Sequence, residues 1–370
     1  MMNNFFSEIY KKSITNLSCS ILKYFNVSHK HETIKEVDDI LNKNKNKNIV
    51  VILLDGLGSK ILSENLKEDY FLNKYKLLEI NSVLPSTTVA STTSFLSSLD
   101  PIEHGWLGWD MYFKNIDKTV TVFTNNIKDT NVQAESYNVA QTKLPYKSID
   151  TLINEKNPEI NTILLFPFGQ NKYTSIQDMT SKIQMLCNNG KRNFIYAYID
   201  NPDDIMHKTG TSSIYTKRVI KQLNDEIERL CNNIKDTTVI VTADHGHIDS
   251  SSINISEYPD FKETLKRDIS IESRACAFFV KEDKENEFER LFKEYFKDSF
   301  ILLTKQETID NHVFGFGEEN VCFKNAIGDY LALAVGNKYF RYDNKGKVYV
   351  AQHAGISKDE TTIPVIIINV

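Results

Sequence analysis

Few cysteines are present, and none is arranged to pair or cluster. The five, Cys19, Cys187, Cys231, Cys276 and Cys322, are scattered over 370 residues, with no C-x-x-C pair for a structural zinc or a redox couple. An odd, widely spaced set points to free thiols in a reducing compartment. Long apolar runs are missing too. None approaches the ~20 residues that cross a bilayer, and the opening MMNNFFSEIYKKSITNLSCSILKYFN alternates apolar and polar residues at helical spacing, unlike an export signal. Basic blocks are absent: 44 Lys and Arg stand against 49 Asp and Glu, for a net charge of −5. That balance argues against nucleic acid as the main partner and leaves small anionic substrates open. The expectation is a cytoplasmic protein without a membrane span. Its 41% hydrophobic and 25% charged residues suit a globular chain with a large core.

Short apolar runs recur between polar turns: NIVVILLDG (48–56), TVTVF (119–123), NTILLF (161–166), NFIYAYID (193–200) and TTVIVTADHG (237–246). Consecutive apolar positions suit strands covered on both faces, as in parallel sheets. Between them lie helical patterns. The stretch 211–234 places Ile214, Val219, Ile220, Leu223, Ile227 and Leu230 on one stripe, with charges opposite. Alternation over this length predicts an α/β domain with helices on both faces. Residues 255–345 read differently, with a charged helix (KEDKENEFERLFKEYF), a glycine-containing turn (VFGFGEEN) and strand-like pieces (YLALAVG, KVYVAQH). The chain is expected to rejoin the main sheet at TTIPVIIINV.

Ligands of such folds sit beyond the carboxyl ends of strands, and three runs end there in acidic or imidazole groups. Asp55 follows the first, Asp200 and Asp203 the fourth, and Asp244-His245 the fifth. Asp203 and His207 are four apart, so one helical turn aims both side chains the same way. His353 stands in AQHAGIS near the C-terminus. Asp55, Asp203, His207, Asp244, His245 and His353 together supply three carboxylates and three imidazoles, a ligand set for zinc or a similar divalent ion. Six such groups suit two ions, the arrangement that clamps attacking and leaving oxygens in phosphoryl transfer. A nucleophile must come from elsewhere, and VLPSTTVASTTSFLSSLDPIEHGW (83–106) crowds hydroxyls around one proline before an apolar segment.

The order LLDGLG, PSTT opening a helix, D-x-x-x-H, ADHG and a late H-x-G resembles the alkaline phosphatase superfamily. Within it the pattern is most similar to the type I phosphodiesterase/nucleotide pyrophosphatase family, from about residue 48 to the end. The resemblance implies an alkaline-phosphatase-like three-layer α/β sandwich: a central, mostly parallel sheet flanked by helices, with a small cap. It makes residues 46–370 the catalytic domain, with cap or insert segments near 105–160 and 255–345. Residues 1–45 become an N-terminal helical extension. It puts the nucleophile at Thr88, one divalent ion on Asp203, His207 and His353, and another on Asp55, Thr88, Asp244 and His245. Zinc is the expected metal, with manganese or others acceptable to the same ligands. The implied reaction is hydrolysis of a nucleotide-like phosphodiester or phosphoanhydride through a phosphothreonine. Physical chemistry supports this choice of threonine: at a helix N-terminus, unpaired N–H groups and the positive dipole end favour an incoming phosphoryl oxygen.

One departure from the family pattern stands out. Members carry an Asn shortly after the HG that corresponds to His104-Gly105, and it helps hold a phosphoryl oxygen; counting along HGWLGWD, that position is Trp109. Trp109 and Trp106 are therefore the candidate substrate-binding residues, while His104 reads as structural and His247 as a neighbour of the ligands. Val89 after Thr88 stands where alkaline phosphatases proper carry an arginine for monoester dianions, which favours diesters. The arginine of the sulfatase frame C/S-x-P-x-R is missing from VLPSTT. A phosphonate hydrolase similar to phosphonoacetate hydrolase, a phosphomonoesterase, and an inactive metal-binding scaffold are the alternative readings.

Overall fold

The computed structural model describes residues 2–344 and 347–370. Six strands among these form the central sheet, in the order Lys76–Asn81, Thr362–Asn369, Thr237–Thr242, Asn48–Leu54, Asn193–Ile199, Asn161–Leu165. Asn48–Leu54 lies in the middle and pairs in parallel with both Asn193–Ile199 and Thr237–Thr242. Every residue of Asn48–Leu54 and Thr237–Thr242 is buried, as consecutive apolar positions require of strands covered on both faces. Thr362–Asn369 returns to this sheet as expected, but antiparallel to its two neighbours. Register places Leu54 opposite Ile199 and Leu53 opposite Thr242. The residues that follow these three strands therefore emerge along one edge.

Two sequence expectations change. TVTVF is not a central strand: Lys118–Thr121 pairs antiparallel with Asp110–Phe113 and Asn126–Ile127 in a second sheet. Its apolar residues alternate, and only Val120 of the strand is buried, which is the signature of a half-covered strand. The edge strand Lys76–Asn81 (KLLEIN) had no apolar run to announce it, and only Ile80 is buried along it. The expected strand in KVYVAQH shrinks to Ala351–Gln352, paired with Ile248–Asp249. Ile214 of the expected stripe is exposed at the start of Ile214–Cys231, whose Ile220, Leu223, Ile227 and Leu230 are buried.

The two segments read separately as cap or insert make one sheet. Phe300–Thr304, Tyr330–Ala334, Ala275–Phe278 and Ser270–Ile271 come from the later segment; Asp110–Phe113, Lys118–Thr121 and Asn126–Ile127 come from the earlier one. Helix Glu285–Phe296 covers this sheet with Phe288, Leu291, Phe292 and Phe296, in an aromatic cluster with Phe261, Phe278 and Phe340.

The N-terminal helices Met2–Lys11, Ile14–Tyr24 and Lys35–Asn44 share the core of the central sheet through Phe6, Ile9, Ile14, Leu17, Ile21, Val37 and Leu41. Ile14–Tyr24 lies against helix Thr88–Ser97: Ser18 Oγ donates to Phe95 O at 2.5 Å and meets Ser98 Oγ at 2.6 Å. Among the described residues no helix is long and apolar enough to cross a membrane.

A buried ion pair joins the second sheet to the chain's end. Arg274 and Glu360 are both fully buried, with Nε to Oε1 at 2.7 Å and Nη2 to Oε2 at 2.8 Å. Two further guanidinium N–H groups reach the carbonyls of Lys338 and Gly336. Glu360 in turn accepts the Gly355 N–H at 2.7 Å and Ser357 Oγ at 2.6 Å. Removing one partner strands a buried charge. Arg274→Met should therefore lower unfolding stability by about 3–5 kcal/mol, measured as a shift in urea denaturation; a change below about 1 kcal/mol would contradict this arrangement.

Candidate active site

Asp55 stands just past the central strand, its N–H donating to Ile199 O at 2.9 Å. The Asp203 N–H donates to Asp55 O at 3.1 Å, which brings the start of helix Asp203–Thr209 beside the first motif. Asp244 and His245 follow Thr237–Thr242, and both are fully buried. These turns are tight. Gly56 has φ +74, and a Cβ there would lie 3.0–3.1 Å from Met206, Asp203 and His247. A Cβ on Gly246 would lie 2.0 Å from Asp359 O, so only glycine lets these backbones pass.

Thr88 begins helix Thr88–Ser97, with Thr87 at the N-cap position but making no side-chain cap bond. Its Oγ1 is 3.4 Å from each oxygen of Asp55 and 3.2 Å from His245 Nε2. The neighbouring hydroxyls have other work. Ser91 meets Ser82 at 2.6 Å, Thr92 donates to Thr88 O at 2.6 Å, Ser94 meets His104 Nε2 at 2.9 Å, and Ser97 donates to Thr93 O at 2.7 Å.

Three histidines share one device. His245 Nδ1 faces Gly246 O at 3.0 Å, His207 Nδ1 faces Ala351 O at 2.8 Å, and His353 Nδ1 faces Ser86 O at 3.3 Å. A carbonyl at Nδ1 takes that N–H, so the neutral His207 and His353 present an Nε2 lone pair to the site, and His245 does so once its Nε2 proton is displaced. Those Nε2 atoms point at carboxylates: His245 at Asp55 (3.2 Å), His207 at Asp203 (3.4 Å) and His353 at Asp203 (3.8 Å). The His245 and His353 rings stack with centroids 3.9 Å apart.

Two groups of side chains here can hold a metal ion, each offering atoms within 4.8 Å of one another: Asp55, Asp244 and His245; and Asp203, His245, His247 and His353. His207 lies against the second group, its ring 4.7 Å from that of His247 and 5.3 Å from that of His353. Asp244 Oδ1 accepts the N–H groups of Gly56 and His245, each at 3.0 Å, yet its buried Oδ2 has no hydrogen-bond partner. An acceptor left without a donor among other acceptors fits a cation.

The electrostatics agree. Burial, then repulsion from Asp55, holds the Asp244 carboxyl far above its usual range and raises Asp203 as well. Burial opposes charge on His245, but Asp244 and the Asp55 hydrogen bond outweigh it and hold its imidazolium up to about 10. Burial also opposes charge on Asp55, yet His245 and the Tyr198 hydroxyl keep it below the ordinary value. Burial lowers His207, His247 and His353, with the His245 charge adding to the effect. One protonated histidine is the positive charge among these acids.

The structure thus gathers Thr88, Asp55, Asp203, His207, Asp244, His245 and His353, whereas Asp200 is exposed and outside the group. His247, read only as a neighbour, bonds Asp203 Oδ1 through Nε2. Trp109 is 45% exposed on a cavity of about 660 Å³ that Thr88 and His353 also line. Trp106 does not line that cavity: it is buried, and its indole N–H donates to Leu144 O at 2.8 Å. Sequence reasoning missed Tyr198 and Glu272. Tyr198 sits in an apolar run with no motif around it, and Glu272 is a lone acid in ISIESRACAFF.

The chain matches the type I phosphodiesterase/nucleotide pyrophosphatase family over residues 49–353. It belongs to that family. Its members are hydrolases acting on phosphoester bonds. Among curated proteins nothing matches. Murine ectonucleotide pyrophosphatase/phosphodiesterase 5 has a similar structure at 16% identity, covering 86% of this chain and 87% of its own, with a TM-score of 0.66. A further structure of it is an inactive threonine-to-alanine variant in complex with AMP, also at 16% identity, covering 86% and 87%, with a TM-score of 0.65. Phosphonoacetate hydrolase from Sinorhizobium meliloti, in complex with phosphonoacetate, is similar at 12% identity, covering 86% and 89%, with a TM-score of 0.64. These likenesses show the shared α/β fold.

Metal binding must displace the proton that His245 holds to about 10. Zinc affinity should therefore rise with pH between about pH 6 and 9, by at least about tenfold per unit, since the raised Asp244 carboxyl gives up a proton as well, as read by isothermal titration calorimetry. A flat profile would contradict the assignment of His245 to the ion.

Proposed function

We propose that the protein is a metal-dependent phosphodiesterase or nucleotide pyrophosphatase that cleaves a nucleotide-like substrate through a phosphothreonine on Thr88. The observation that carries this reading is the Thr88 hydroxyl, within 3.4 Å of Asp55 and His245 at the start of a buried helix. An inactive variant of the murine neighbour carries alanine for a threonine, which supports a threonine as the reacting group.

Asp203, His207 and His353 would hold one divalent ion, and Asp55, Thr88, Asp244 and His245 the other, with zinc favoured by the nitrogen and oxygen donors. Bound there, the ions would supply activation of a weak oxygen nucleophile and charge stabilisation at the leaving oxygen. The chain does the rest. Helix Thr88–Ser97 aims its free N–H groups at the phosphoryl oxygens. Its buried packing against Ile14–Tyr24 keeps Thr88 in line with phosphorus. The Thr88 oxygen bonds to phosphorus as one ester or anhydride oxygen leaves and takes up a proton. Water then cleaves the Thr88–phosphate bond, releasing the phosphomonoester that keeps the substrate's other ester arm and restoring the Thr88 hydroxyl. Trp109, with Phe123 edge-on at 5.4 Å, offers an aromatic surface to the leaving arm.

In this reading residues 46–370 are the catalytic unit and residues 1–45 its helical support. We place the protein in the cytoplasm, a reading supported by five cysteines that are all free thiols, four of them buried. In zinc-loaded protein, Thr88→Ala should lower turnover of p-nitrophenyl thymidine monophosphate by at least about a thousandfold with metal content unchanged. Unchanged turnover would overturn Thr88 as the nucleophile, metal-loaded wild type with no turnover would make the protein a metal-binding scaffold, and turnover of phosphonoacetate alone would make it a phosphonate hydrolase.

A further inference from the structure

One carboxylate on the cavity wall belongs to neither metal-binding group. Glu272 lines the cavity together with Thr87, Thr88 and Trp109. Its Oε1 accepts Thr87 Oγ1 at 2.7 Å and the Trp109 N–H at 2.8 Å. Thr87 stands at the N-cap position of the helix that Thr88 begins, with no side-chain cap bond of its own, so the carboxylate is bonded to the residue immediately before Thr88. Trp109 occupies the position where the family pattern carries an amide for a phosphoryl oxygen. In this chain the backbone N–H at that position is taken by an acid.

Two lysines on this wall are engaged by other acceptors. Lys128 Nζ donates to Ile269 O at 2.7 Å and sits 3.2 Å from Asp268, and Lys208 pairs with Asp204. Arg341 and Lys347 share the same wall with Asp129 and Asp343.

We propose that Glu272 is the specificity-determining residue that selects singly charged phosphodiesters over substrates whose transferring group carries two negative charges. The inference rests on the phosphodiesterase reading above. A diester phosphoryl group keeps one charge at every working pH, whereas a phosphomonoester loses its second proton near about pH 6. A fixed carboxylate therefore repels the monoester or phosphonate group about twice as strongly as the diester, and the partly enclosed cavity screens that repulsion poorly. Glu272 needs no part in bond making to exert this effect.

The test compares zinc-loaded wild type, Glu272→Gln and Glu272→Ala on bis-p-nitrophenyl phosphate, p-nitrophenyl phosphate and phosphonoacetate. Assays run above about pH 8, because burial lifts Glu272 to about 7 against the two donors on its Oε1. The glutamine variant keeps an oxygen for Thr87 and Trp109. Wild type should prefer the diester, and both variants should lower the diester-to-monoester ratio of kcat/KM by at least about tenfold through a rise in monoester turnover. A glutamine variant whose ratio stays within about twofold of wild type overturns the proposal. So does an alanine variant that slows all substrates in proportion, which would leave Glu272 a support for Thr87 alone. A wild type inert toward every diester fails the phosphodiesterase reading itself, and with it the selectivity.

Discussion

Three carboxylates, Asp55, Asp203 and Asp244, meet at one edge of the sheet, and everything around them answers the cost of that placement. Like charges out of water cannot all stay ionised without a compensating cation. The chain alone supplies one imidazolium, at His245, and leaves a buried Asp244 oxygen with no donor. Two further histidines, His207 and His353, are acceptors by construction, since they give Nδ1 to backbone carbonyls and turn Nε2 inward, and His245 joins them when its proton leaves. Such a pocket is incomplete without positive charge from outside.

The frame keeps these groups from drifting apart. Parallel register brings the ends of three strands together, and glycine at 56 and 246 lets their loops touch. His353 arrives from far along the chain, and its loop is held through Glu360, which bonds Gly355 and pairs with Arg274. The second sheet is thereby tied to the site at two points, through Arg274 and through Glu272. Helix Thr88–Ser97 is wedged between the sheet and the N-terminal helices, so the Thr88 hydroxyl is mounted on one of the best-packed elements of the molecule.

Much of this was legible in the sequence because chemistry and strand endings coincide there. LLDG, D-x-x-x-H and ADHG each place polar groups straight after apolar runs, which buried strands do not tolerate without a use for them. Elements defined by partners distant in sequence were less legible. Lys118–Thr121 and Ser270–Ile271 lie in one sheet about 150 residues apart in the chain, and neither run carries a signal of the other. Lys76–Asn81 escaped notice because an edge strand buries little. Trp106 and Trp109 read alike in HGWLGWD, and only the fold separates an indole under the surface from one on the cavity. Glu272 and Tyr198 have no spacing that announces them; their roles exist only as contacts.

Anomalous diffraction from crystals grown with zinc tests the central claim most directly. Two peaks are expected, one among Asp55, Thr88, Asp244 and His245 and one among Asp203, His207 and His353, with ligand distances near about 2.0–2.2 Å. No peak among the three carboxylates, or ions bound only elsewhere on the surface, would contradict it.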